Sequence, residues 1–574
     1  WLSREATEAN VIKRDYPVMV MIGNPPYSGE SQNGKLGINL IEKFKLEPQT
    51  TQNIPDTKWL NSDELKFIGL AMSYINRNEG GGIIGYINPH TYLDGQTFRG
   101  MRWHLLNAFD KIYIVNLHGN TTSGETKNSK DENVFDIRQG VCINILVKTN
   151  KKEKGELAEV KYCSLYGLTR QEKYDTLNSN KLETIGFERL EPKAPYYFFV
   201  HKDFAEEDEY NKGFAVNSLF VHSGVGVCSK RDKIAFQDDK ETLVKVLNDF
   251  KTLPENEIKE RYHVMSESRD QKVAYAKANV EKFGIAEEFI RPILYRPFDK
   301  KWTYFTDMSK GFIAFPVYDI MKNLALTDNV ALVVSKQCMS DWRYALVTND
   351  INDMNLTSTA SRLGAGYTYP LYAYSADIDG TEKLLLNFNK EVLCRIESGL
   401  GKSIDPQELF DYIYAILYSP TYRSRFSEFL KIDFPRIPYP KDMAAYHLLA
   451  QKGALLRHLH LLDGQDGVQG NVVFEGETSE SEYMRVTRID YTDEKGYINS
   501  GQYFNHVPQN AWDFFVGGYQ PARKWLQERK DAGITLSFDD IEYYPRIILA
   551  LTETERLMQE IDDIYNGSRH ESYS

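Results

Sequence analysis

The chain has 574 residues, of which 42% are hydrophobic and 26% charged, an ordinary globular composition that allows three or four domains with cores of their own. It has no run of about 18 apolar residues and no basic–apolar–small opening segment, so neither a membrane span nor an export signal is predicted. Five scattered cysteines without a CxxC pair argue against a zinc site or a disulfide framework and suit a reducing cytoplasm, while the net charge of −12 is a weak guide to nucleic acid, because only a docking face need be basic.

The first predicted element is the apolar run Val18 to Ile22, a strand that stops at Gly23 and passes into Asn24, Pro25, Pro26 and Tyr27. In open α/β sheets the carboxyl end of a strand is where ligands bind. A chance Asn-Pro-Pro-Tyr occurs in about one in a thousand chains of this length; the bland alternative is a surface Pro-Pro turn. The tetrapeptide at a strand end resembles the catalytic motif of amino-methyltransferases, above all those acting on N6 of adenine in DNA. The resemblance implies a role for each residue. The Asn24 side-chain oxygen and the Pro25 carbonyl would accept the two N–H groups of a poorly nucleophilic exocyclic amine. The prolines fix φ and bring no competing donor, and Tyr27 offers a stacking face worth roughly 1–3 kcal/mol. A base inside a duplex would have to be flipped out to reach them, and S-adenosylmethionine would be the methyl donor.

The run Gly29 to Leu36 imitates a P-loop, but Leu36 has no hydroxyl for Mg²⁺ where that motif needs one. Ile83 to Ile87 reads as the next strand, ending at Asn88-Pro89; Phe98 to Ile112 has helical spacing; Ile112 to Asn120 and Gly140 to Lys148 read as strands. Phe135, in the loop before the last of these, is the candidate for a second aromatic clamp on a flipped base, with a plain core phenylalanine as the alternative. The order matches the second half of a methyltransferase-type sheet. Only 23 residues precede Asn24, too few for three strands and their crossovers, so the chain is expected to be a carboxyl-terminal portion lacking the main S-adenosylmethionine loop. The charged run Lys151 to Glu156 marks a domain break.

Beyond it, Leu243 to Phe289 is helix-rich, and Leu409 to Leu430 reads as an amphipathic helix whose Tyr and Phe stripe is core. Ser537 to Asp563 reads as a closing helix. Gly224 with Gly226, and Gly364 with Gly366, lack the third glycine of a dinucleotide fingerprint and read as turns. Four stretches, Val216 to Lys233, Leu294 to Phe312, Phe410 to Pro440 and Val516 to Lys530, follow the Asn-Pro-Pro-Tyr segment in an order and spacing that resembles type ISP restriction–modification enzymes. These are single chains that join nuclease, translocase, methyltransferase and target-recognition modules. The resemblance implies double-stranded DNA as partner, together with an upstream methyltransferase half and nuclease and translocase modules of a parent chain.

The predicted fold is α/β: a partial methyltransferase-type (Rossmann-like) sheet over residues 1–150, a connecting segment over 151–215, a mixed α+β target-recognition domain over 216–445, and its carboxyl-terminal part over 446–574, ending in helices. Candidate DNA contacts are Lys230, Arg231, Arg296, Lys300, Lys301, Lys336, Gln337, Arg343 and Arg362, since Arg and Lys read guanine, Gln reads adenine, and most such side chains touch phosphate. For each the alternative is a solvated charge, and Arg296 could pair with Asp299. No metal site is predicted. Two rival functions remain: a non-catalytic specificity subunit, and a methyltransferase acting on protein or RNA.

Overall fold

A computed structural model of the chain describes residues 4–8, 11, 17–27, 37–55, 57–121, 130–153, 155–338, 341–358, 365–376, 382–463 and 471–570. It forms two units, Trp1–Asp203 and Phe204–Ser574.

The first unit alternates strands and helices: β1 (Val20–Gly23), α1 (Asp63–Arg77), β2 (Gly82–Pro89), α2 (Arg99–Ala108), β3 (Lys111–His118), β4 (Val141–Lys148), β5 (Glu159–Ser164), α3 (Arg170–Ser179) and β6 (Glu188–Leu190). Helix α1 has Asp63 and Glu64 in its first turn, where the helix dipole favours acids. It buries Leu65, Ile68, Met72 and Ile75, which recur at helical spacing on one stripe. The strands form one mixed sheet in the order β1-β2-β4-β3-β5-β6. Strands β1 and β2 are parallel, as are β3 and β5, and β4 runs against both of its neighbours. It follows that β1, β2, β3 and β5 all point the same way and end on one side. Ile84, Ile112, Ile114, Leu146 and Val160 pack beneath them with Met101, Leu105 and Leu106 of α2.

Lys152, within the charged run, is taken up in the fold rather than marking a boundary. Lys152 donates from Nζ to the carbonyls of Leu106, Asn107 and Phe109, at 2.7, 3.0 and 2.8 Å, capping the end of α2. The chain then returns to the sheet as β5 and β6, so residues 151–203 belong to the first unit and the expected division at residue 150 is displaced. At the other edge β1 is thinly covered: Val20 and Ile22 are 54% and 84% exposed, although their apolar side chains gain by burial.

The second unit is mixed. Strands Ala345–Thr348, Ala331–Ser335, Gly366–Pro370 and Gly224–Val225 form an antiparallel sheet in that order. The hairpin Ile290–Arg296 with Asp299–Tyr304 takes Ile351–Asn352 alongside in parallel. A third sheet joins Val473–Gly476, Gln502–Asn505, Lys495–Tyr497 and Asp490–Thr492. The Tyr-rich helix is core from Leu409 to Tyr418 and packs against Met443–Leu461. The two are tied to the closing helix Phe538–His570 by His460, whose Nδ1 meets the Tyr414 hydroxyl at 2.5 Å and whose Nε2 meets Thr554 Oγ1 at 2.7 Å. Thr554 spends its own proton on the Ala550 carbonyl, so His460 is the neutral Nε2–H tautomer. Burial, aided by nearby Arg423, pushes its pKa down to about 3.

Candidate functional site

The Asn-Pro-Pro-Tyr run follows β1 on the side of the sheet where β1, β2 and β3 all end. Asn24 is exposed, Pro25 buried, Pro26 exposed and Tyr27 half-buried. The Tyr27 hydroxyl donates to Asn24 Oδ1 and reaches the Ile87 carbonyl of β2 at 3.3 Å. This fixes the carboxamide with its oxygen turned to Tyr27 and leaves that oxygen one further lone pair for another donor. Burial, then the fields of Cys142 and Glu64, push the Tyr27 hydroxyl up to about 12, so it is a neutral donor.

Phe135 arrives from the loop before β4. That loop is pinned by Asn133, whose Nδ2 donates to the carbonyls of Gly119, Ile137 and Gln139 at 3.0, 3.1 and 2.7 Å. Beneath it Lys173 and Asp131, both side chains fully buried, pair at 2.8 Å, and Lys173 also donates to the Leu117 carbonyl. Phe135 and Tyr27 pack against one apolar cluster that includes Val115, Val134 and Val141. The two aromatic candidates, 108 positions apart in the chain, therefore share a neighbourhood. Glu64, whose field acts on Tyr27, was not singled out from the sequence. Burial raises its pKa, and its Oε2 has no hydrogen-bond partner. An acid in a helix's first turn is too common to signal this position.

The candidate DNA contacts in the second unit fall into two groups. Arg296 is 4% exposed, pairs with Asp353 at 2.8 Å, and lies 3.7 Å over the Tyr295 ring. Lys301, at 7% exposed, pairs with Asp238 at 2.8 Å. Their charges are neutralised inside the protein, so both are corrected from DNA contacts to structural ion pairs. Lys301 also faces a groove of about 1000 Å³ lined by acids, Asp232, Asp238 and Asp239 among them, together with Lys233, Lys240 and Arg529. Asp299 does not pair with Arg296 but holds Arg529 at 2.6 Å.

The remaining contacts are more accessible. Lys230 pairs with Asp270 at 3.2 Å and Lys300 with Asp350 at 2.8 Å, each lysine side chain more than a third exposed. Arg231 donates to the Ser266 carbonyl at 3.1 Å and is lowered in pKa by burial. Lys336 and Gln337 leave the strand Ala331–Ser335, and Arg343 enters Ala345–Thr348, so the antiparallel pairing of Val334 with Ala345 brings them to one end of the sheet. The 516–519 turn supports that end: Gly517 and Gly518 donate to the Arg343 and Thr357 carbonyls at 2.8 Å each. Arg362 and the P-loop-like run Gly29 to Leu36 lie outside the described residues. Among the described residues no three His, Cys, Asp or Glu side chains cluster to hold a metal, and no helix is long and apolar enough to cross a membrane.

Residues 218–560 match the family model of the type ISP C-terminal specificity domain, and the chain belongs to that family. Its fold is similar to that of DrdV in a DNA complex (21% identity, TM-score 0.76), to the ATP-dependent type ISP restriction-modification enzyme LlaBIII bound to DNA (20%, 0.74), and to a nuclease-deletion mutant of the type ISP enzyme LlaGI with a DNA substrate mimic (21%, 0.72). Each similarity covers 97% of this chain but 58%, 38% and 45% of those chains, respectively. No curated relative matches the chain.

Proposed function

We propose that this chain is the target-recognition and adenine-N6 methyltransferase part of a single-chain restriction–modification enzyme. The observation that carries the reading is the pairing of a specificity domain over residues 218–560 with an Asn-Pro-Pro-Tyr end to strand β1, where Tyr27 and Phe135 share one apolar cluster. The solved structures of similar fold hold DNA, which supports double-stranded DNA as the partner here.

In this reading the second unit grips and reads the duplex, and an adenine swings out to the ends of β1 and β2. Tyr27 and Phe135 hold the base by its faces. Asn24, oriented by Tyr27, accepts one amine N–H on its remaining lone pair, and the Pro25 carbonyl accepts the other. The two acceptors draw the nitrogen towards tetrahedral geometry, catalysis by positioning with no strong base. S-adenosylmethionine is the donor in this reading. Asn24 and the Pro25 carbonyl would hold the acceptor amine, and the cofactor would supply only the methyl group.

Selection of preferred sites from a random-sequence duplex pool, at about 0.15 M salt so that nonspecific phosphate binding does not swamp the signal, tests the reading. Enrichment of one short site containing adenine is expected. Retention without enrichment would remove sequence recognition from this chain, and no retention would favour the protein or RNA methyltransferase.

A further inference from the structure

Three donors without acceptors meet at the end of the sheet that carries Lys336 and Arg343. Trp342 is 3% exposed, yet its indole Nε1–H has no hydrogen-bond partner; nor have Nε of Arg343 and Nη2 of Arg423. Arg423 stacks over Tyr418 at 4.4 Å and over Trp342 at 5.8 Å, and its Nε donates to the Leu417 carbonyl at 2.6 Å. No ion pair joins it to a carboxylate among the described residues. Burial and the repulsion of Arg343 both disfavour its charge, opposed by the hydroxyl groups of Tyr418 and Tyr414. Arg343 lies 4.5 Å over Phe515; its one acid, Asp341, is 3.8 Å away with a side chain 88% exposed.

Buried polar groups are nearly always satisfied, and a buried cation without an anion is costly. Two guanidiniums and an indole N–H share one carboxylate, the exposed Asp341, and are therefore short of one anion. Planar guanidinium forks match phosphate oxygens, and a third of the Arg343 side chain opens the cluster to solvent. We propose that Trp342, Arg343 and Arg423 form a seat for one backbone phosphate of the DNA duplex. The proposal rests on the DNA-binding reading above and adds a contact that fixes register rather than reading bases.

The test is duplex binding by the intact chain across a salt series, with Arg423→Gln, Arg423→Lys and Arg343→Gln. Each Gln variant is expected to weaken binding by about tenfold at moderate salt and to flatten the log affinity–log salt slope by about one, equally for all sequences. Arg423→Lys keeps the slope. Because Arg423→Gln could unfold the chain, neutral methylphosphonates are also placed singly along the duplex. The unsubstituted protein is expected to lose affinity at one position, and Arg343→Gln to lose that sensitivity. Unchanged slopes and no sensitive position overturn the seat and leave a solvated cluster. Lost sequence preference with an unchanged slope overturns it in favour of base reading. Failure of the unsubstituted chain to bind duplex overturns the DNA-binding reading along with the seat.

Discussion

Replacing Asn24 by alanine is expected to lower methyl transfer by at least about a hundredfold in the enzyme carrying its donor-binding part, because a misplaced reacting group costs that much even when all else is intact. Duplex affinity should change by less than about threefold, since phosphate contacts elsewhere dominate it. The Asn24 side chain is exposed, and Tyr27 is its partner through a single hydrogen bond, so the fold has little to lose. The check is incorporation of labelled methyl groups into a duplex bearing the preferred site, with binding measured on the same samples. Parallel loss of binding and methylation would make Asn24 a structural residue.

Gly453→Ala is expected to destabilise the second unit by about 3 kcal/mol or more, at the severe end for one methyl group. A Cβ at Gly453 would stand 1.8 Å from the Asp411 carbonyl oxygen, where helix Met443–Leu461 passes helix Pro406–Tyr418. Backbone meets backbone there, so no rotamer change relieves the clash. The helices must separate, loosening the core around Tyr412, Tyr414, Leu449 and Leu456. Gly399, with nothing within 4 Å of its Cβ position and no positive φ, is the control. Alanine there should be neutral or stabilising by up to about 1 kcal/mol. Urea unfolding of the chain and both variants separates the cases.

Local pattern carried the first unit's description far. Ile83 to Ile87, Phe98 to Ile112, Ile112 to Asn120 and Gly140 to Lys148 each lie on a strand or helix of the structure within a few residues, because apolar spacing is a local property. The break at Lys151 to Glu156 misled because charge density suggests a linker, whereas Lys152 is consumed in capping a helix. In the second unit the partners are remote. Arg296 stands three residues from Asp299, yet the fold gives it Asp353 and gives Asp299 to Arg529, 230 positions away. Nothing near Arg296 in sequence reveals that choice, and nothing in the stretch around Arg423 shows that its charge lacks a partner. Tyr27 and Phe135 could each be named from the chain; that they share one cluster required the sheet.

In the proposed function a site chosen by the second unit presents an adenine to the ends of β1 and β2. The direct measurement places 2-aminopurine, in turn, at every adenine of the preferred duplex and follows its emission as the chain binds. A rise at a single position, reduced by Tyr27→Ala or Phe135→Ala, is the expected result, because an extruded base loses its neighbours in the stack. Emission that stays flat at every adenine while the duplex is fully bound would contradict the account.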